Sequence, residues 1–155
     1  MLSSDYIVGL TDGEGCFYVH ARARQSNSAQ PRVDTHFYIK LHEEEKNLLE
    51  QVKEAFNCGG VYVQKEKRSN HSQCYRFEIN SQRDIVNVLI PFFEKHPLQS
   101  QKRRNFKIFK EISLMVKRKE HKDPEGFKHI LRLKSQMNIG ARRMRQIRSS
   151  GGNAE

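Results

Sequence analysis

Apolar and polar positions fall into blocks of different period, and each block predicts an element. Residues 16–24 alternate: Phe17, Val19, Ala21 and Ala23 are apolar, and Tyr18, His20, Arg22 and Arg24 between them are polar or cationic. A period of two predicts a strand with one buried and one open face. Residues 25–31 read as a loop by composition. Residues 32–41 alternate again, with Val33, Phe37, Ile39 and Leu41 on one side and Arg32, Asp34, His36, Tyr38 and Lys40 on the other, so the two strands form a long hairpin. Residues 61–68 and 72–80 predict a third and a fourth strand, linked by Ser69, Asn70 and His71. In the fourth, Tyr75, Phe77 and Ile79 face inward, and Cys74, Arg76 and Glu78 face the other way.

The remaining blocks have helical spacing. Ser4 is expected to cap a first helix, with Asp5 in its first turn, Tyr6, Ile7, Val8 and Leu10 as its apolar body, and Gly13 and Gly15 as its stop. A second helix opens at His42 with three glutamates, carries the stripe Leu48, Leu49, Val52 and Phe56, and stops at Cys58-Gly59-Gly60. Ser81 and Asp84 open a third, with Ile85, Val88, Leu89 and Phe92 inward, and Pro91 is expected to bend or end it. Residues 98–119 read as a long basic helix with Phe106, Phe109, Ile112 and Met115 or Val116 inward. Asp123 and Pro124 start a last helix running to about Asn138. The order predicts an α+β domain over residues 1–140: a four-stranded antiparallel curved sheet with helices on one face, an αββαββα-like core. Residues 141–155 are a basic, then Gly/Ser-rich, tail.

Composition narrows the class. The chain carries a net charge of +10, and residues 95–148 hold 17 Lys/Arg against 4 Asp/Glu. That asymmetry points to a polyanionic partner, nucleic acid first. No apolar run reaches membrane length, so no membrane partner is expected. Cys16, Cys58 and Cys74 are odd in number and lack CxxC spacing, which argues for a reducing, intracellular setting whose compartment, cytoplasm or organelle, stays open.

One stretch breaks the helix rules. Asp12 and Glu14 stand at the C-terminal end of the first helix, where the dipole disfavours carboxylates, and such a violation points to function. Gly9 and Gly13 share a face, on which another backbone can approach closely. A second copy of this helix, related by a two-fold axis, would bring two Glu14 carboxylates together, a pair suited to divalent metal ions.

The run Ile7-Val8-Gly9-Leu10-Thr11-Asp12-Gly13-Glu14-Gly15 resembles the nine-residue signature of the LAGLIDADG homing endonucleases, departing at its first two positions and at Thr11. Two further segments are similar to that family in the right order. His96-Pro97-Leu98-Gln99-Ser100-Gln101-Lys102-Arg103-Arg104-Asn105-Phe106 resembles the opening of its penultimate helix, and Gly126-Phe127, Ile130, Lys134-Ser135 and Asn138-Ile139-Gly140 its closing helix. The resemblance implies that Glu14 is the metal-binding acid and that Gly13 lends its carbonyl. Lys102 matches a lysine that supports catalysis, and Gln101 stands where the family has a second. The family often positions water with a polar group near the end of the second strand; Leu41 stands there, flanked by Lys40 and His42.

The open sheet face supplies the readers: Tyr18, His20, Arg22, Arg24, Arg32, Asp34, His36, Tyr38, Lys40, Gln64, Glu66, Arg68, Arg76 and Glu78. Arg and Lys bond guanine edges, Gln bonds adenine, and acids accept from cytosine, so a mixed set on β-ribbons suits a major groove. With one signature per chain, the expectation is a homodimer through Tyr6, Gly9, Leu10 and Gly13, using Mg²⁺ or another divalent cation. It would cut both strands of a pseudo-palindrome of roughly 20 base pairs in double-stranded DNA. The alternative on the same fold is a non-cleaving nucleic-acid-binding protein, an intron RNA maturase or a transcription regulator.

Overall fold

The computed structural model describes residues 1–26, 30–65 and 73–137. The expected readers Glu66 and Arg68, the tail 141–155 and the stretch Asn138-Ile139-Gly140 lie outside the described residues.

Helix α1 (Ser4–Glu14) runs straight into β1 (Gly15–Arg22), which pairs antiparallel with β2 (Arg32–His42). A 3₁₀ turn (Glu43–Glu45) leads into α2 (Lys46–Phe56), then β3 (Gly60–Gln64) and β4 (Cys74–Ile79). The strand order β1-β2-β4-β3 joins the two hairpins by pairing β2 with β4, again antiparallel. The α+β expectation holds. The helices lie on one side: α2 packs on β2, β3 and β4, and α5 (Lys102–Lys117) packs on β1 and β2. Last comes α6 (Pro124–Ser135), laid against α5.

Alternation decides which strand face is buried. Phe17, Val19, Val33, Phe37, Ile39, Phe77 and Ile79 turn toward the helices and are at most 5% exposed. They meet Phe56, Phe93, Phe106 and Phe109 in an aromatic core, with the Phe17 ring centred 5.1–5.8 Å from Phe37, Phe93, Phe106 and Phe109. Each such ring fully buried contributes about 1.5–3 kcal/mol. Gln82 fastens the layers with a polar bridge, donating from Nε2 to the Ser113 carbonyl at 2.6 Å and accepting from Thr35 Oγ1 at 3.3 Å.

Three local expectations shift. The cap of α1 is Ser3, whose hydroxyl accepts from the Tyr6 N–H at 3.2 Å. Ser4 is already helical. Asn57, in the left-handed conformation at φ 53°, closes α2 one residue before the predicted stop. Pro91 does not end its helix. The chain passes from α3 (Gln82–Asp84) through a widened π turn (Ile85–Leu89) into α4 (Ile90–Lys95). There the Ile90 N–H reaches back to the Ile85 carbonyl. A proline ring collides with the carbonyl four residues earlier in a regular helix, and a wider turn just ahead of it relieves that crowding.

Candidate functional site

The end of α1 is built on a near-absent loop: Glu14 is helical and Gly15 is already strand. A Cβ on Gly15 would lie 2.6 Å from Thr11 Cγ2 and 2.8 Å from the Thr11 carbonyl, so only glycine lets the strand leave so tightly.

The two acids at this end have different fates. The Asp12 carboxylate accepts from the Gln99 N–H at 2.9 Å, the Ser100 N–H at 3.1 Å and the Ser100 hydroxyl at 2.6 Å. It is therefore an N-terminal cap for the turn entering α5, and what is disfavoured at the end of one helix is favoured at the start of the next. Burial pushes the Asp12 pKa up, but the bonds from Ser100 and Gln99 and the Lys102 charge outweigh it, and the net displacement is downward. The tie is reciprocal: Lys102 Nζ donates to the carbonyls of Thr11 and Asp12, each at 3.0 Å. Burial draws the Lys102 pKa down, against the opposing charges of Cys16, Glu14 and Asp12. Lys102 thus reaches the Glu14 end of α1 as expected, but as a clamp on its last carbonyls. Gln101 lines a basic groove with Gln99, Ser100, Arg103, Arg104 and Lys107.

Glu14 is exposed and has no hydrogen bond or ion pair to any described residue. The same flank of α1 is bare. A Cβ added at Gly9 or Gly13 would meet nothing within 4 Å, and Tyr6 is 47% exposed. Leu10, expected on this flank, packs partly against the chain's own core.

On the open sheet face, β1 and β2 align Tyr18 with His36, His20 with Asp34 and Arg22 with Arg32, and β2 aligns Tyr38 with Glu78 and Lys40 with Arg76. Arg24 bonds the Ser26 carbonyl, and Arg32 holds both oxygens of Asp34, at 2.9 and 3.1 Å. Glu78 is the correction. Expected to accept from a base, it is buried, 6% exposed, between His36 and Arg76, each at 2.6 Å. Tyr38 lies beneath Arg76, whose guanidinium carbon is 4.9 Å from the ring centre. Gln64 is half-buried, and its Oε1 has no partner among the described residues. Tyr62, 55% exposed and directly across from Arg76, belongs to this face and is missing from the sequence-based set. The period-two count running back from Gln64 reaches it. Leu41 packs on the core, and His42 Nδ1 accepts from the Glu44 N–H at 3.4 Å.

The family model described as LAGLIDADG endonuclease matches residues 7–113, the span that builds the sheet, the Glu14 end of α1 and the Lys102 clamp. The chain belongs to the LAGLIDADG endonuclease family. It is 30% identical over 139 residues to "Probable intron-encoded endonuclease 2" of Neurospora crassa, covering 90% of this chain and 30% of that protein. The chain thus spans less than a third of the length of this relative and of "Probable intron-encoded endonuclease 3" of the same organism. The crystal structure of the homing endonuclease I-TnaI superposes with a TM-score of 0.77 at 34% identity, over 96% of this chain and 97% of that one. The LAGLIDADG homing endonuclease I-LtrWI, solved bound to its target DNA, superposes with a TM-score of 0.78 at 35% identity, over 89% of this chain and 45% of that one.

Proposed function

We propose that the chain is a site-specific DNA endonuclease that pairs with a second copy through α1 and hydrolyses both strands of a long pseudo-palindromic site with divalent metal ions. One observation carries this reading: an exposed carboxylate with no hydrogen bond or ion pair to a described residue stands at the end of a helix whose outer flank is bare. The metal requirement fits the donors. Glu14 and the Gly13 carbonyl are hard oxygen ligands of the kind Mg²⁺ takes, and such an ion usually keeps several waters and adds phosphate oxygens. No group of three or more potential metal-binding side chains exists among the described residues, so one copy supplies a single acid and a second Glu14 completes the set. When bound, divalent ions supply an activated water and neutralise charge at phosphorus.

The chain's own residues do the rest. Lys102 and Asp12 lock the end of α1 to α5, so that Glu14 is held at a fixed place. Tyr18, His20, Arg22, Arg76 and Tyr62 present donors, acceptors and ring faces to a groove. The coverage of known structures supports pairing: one copy of this fold matches the whole of I-TnaI but only 45% of I-LtrWI, about the share expected of one unit in two. The intron-encoded relative supports a role in intron spread.

Selection of cleaved sequences from a randomised DNA library with Mg²⁺ tests the reading. The expected result is a symmetric preference. An asymmetric preference sinks the homodimer, and sequences that are bound but never cut favour the non-cleaving alternative, which leaves Glu14 without a task.

A further inference from the structure

Glu78 is the one buried acid among the described residues, and it lies in the middle of the sheet face that the proposed function sets against DNA. Its Oε1 is 2.6 Å from His36 Nδ1, and its Oε2 is 2.6 Å from an Arg76 terminal nitrogen. Tyr38, directly across the ladder from Glu78, carries the Arg76 guanidinium over its ring. The Tyr38 hydroxyl is pushed up to about 12, by burial first and then by its hydrogen bond with the Cys16 thiol, so that ring stays neutral. A carboxylate is acceptor-only, and both of its oxygens are taken. The remaining lone pairs sit on a side chain that is only 6% exposed, which keeps a cytosine amino group from reaching them.

The two partners keep their outward faces. His36 is 27% exposed and Arg76 is 35% exposed, against 6% for Glu78. Arg76 spends one N–H on the carboxylate and retains others in a rigid planar fork. His36 commits Nδ1 to Glu78, at 2.6 Å, which leaves Nε2 for a base.

We propose that Glu78 is a positioning residue for base readout: one buried carboxylate holds Arg76 as a donor fork and fixes the His36 ring through Nδ1, so that the two read neighbouring base pairs as a unit. The chemistry selects a guanine edge for Arg76. Asp34 shows the contrast. Its Arg32 partner is 72% exposed, and such a pair is easily exchanged for phosphate or base contacts.

This inference rests on the sheet face lying against DNA, and one binding selection separates the two claims. Randomised duplex DNA would be selected for binding by the wild-type chain, Glu78→Gln, Arg76→Ala, His36→Ala and the Arg76→Ala/His36→Ala pair, each with a thermal melt. Arg76→Ala is expected to lose about tenfold in preference at one position, and Glu78→Gln to flatten that position and its neighbour together. Binding of unrelated DNA by Glu78→Gln should hold or tighten, because an anion has left the interface. If Glu78→Gln does not fold, the cycle between Arg76 and His36 still decides: shared anchoring predicts that losing Arg76 also weakens the preference at the His36 position. Fully independent preferences, or a Glu78→Gln that loses only a cytosine untouched by Arg76→Ala, overturn the proposal. A wild-type chain that selects no sequence overturns the DNA reading itself, and this inference with it.

Discussion

The two flanks of α1 each carry a carboxylate, in opposite conditions. On the inner flank Ile7, Val8 and Thr11 are buried, and Asp12 is saturated by three hydrogen bonds from the entry to α5. On the outer flank Tyr6, Gly9, Gly13 and Glu14 are exposed, with glycines that touch nothing. Two carboxylates stand two residues apart at the unfavourable end of one helix. One is stabilised by its own chain, and the other is left to something outside it. A misplaced charge that the fold satisfies is architecture; one left without a hydrogen bond beside a bare helix face is what the proposed pairing and metal binding rest on.

The largest expected effect breaks the outer flank chemically. Glu14→Gln keeps the size and removes the charge; cutting should fall below detection while affinity for the same DNA stays within a few-fold, measured by cleavage and by equilibrium binding in parallel. Retained cutting would remove Glu14 from the mechanism. Next comes Gly9→Leu. Because a side chain there meets empty space within the chain, the fold should tolerate it, and a helix gains about 0.5–1 kcal/mol when glycine leaves an exposed position. The expected combination is therefore a melting temperature unchanged or raised, together with a halved sedimentation mass and lost cutting. A variant that stays dimeric would place the interface elsewhere.

How far this contrast could be read from the chain itself depends on the range of each interaction. Strands β1 and β2 were legible because each has one buried face, and alternation records it residue by residue. The open flank that ends in Glu14 was legible because the broken helix rule and the glycine spacing are both local. The destination of Asp12 was not, because its partners lie 87 and 88 residues away and no period links them. Glu78 was misread for a related reason. Alternation assigns it to the open face correctly, but its burial is set by His36 and Arg76, one of them on a neighbouring strand. The π turn ahead of Pro91 was not legible because it leaves the spacing of Ile85, Val88 and Leu89 looking like an ordinary helix.

Breaking the inner flank should cost stability before it costs chemistry. Asp12→Asn gives up charge-assisted bonds worth about 1.5–3 kcal/mol each at most, part of which the amide recovers. The loss has a definite pH dependence. Since the folded pKa of Asp12 lies below its ordinary value, its stabilisation is complete above about pH 4 and drains away as pH falls through the folded value. Denaturant unfolding at pH 7 should therefore separate Asp12→Asn from the wild type, and the gap should narrow at pH 3. An equal gap at both would mean that shape, rather than the charge, matters at this position. Cutting by Asp12→Asn should survive at a reduced rate, unlike that of Glu14→Gln, because Glu14 keeps its charge and loses only part of its support.

The smallest effect is the sharpest probe of the contrast. Ser100→Ala removes one of the three bonds to Asp12 and leaves the backbone donors of Gln99 and Ser100 in place. A single such bond is worth about 0.5–3 kcal/mol, and the apolar replacement fits without a new cavity. The same hydroxyl accepts from the Lys102 N–H at 3.2 Å, so its loss also loosens the first turn of α5. If the inner flank is a clamp and nothing more, Ser100→Ala should lower stability slightly, shrink the acid-dependent part of that stability, and leave the dimer mass and the DNA preference unchanged. A change in DNA preference from this substitution would mean that the clamp also sets how α1 presents the sheet to DNA, and the two flanks would then be one functional unit.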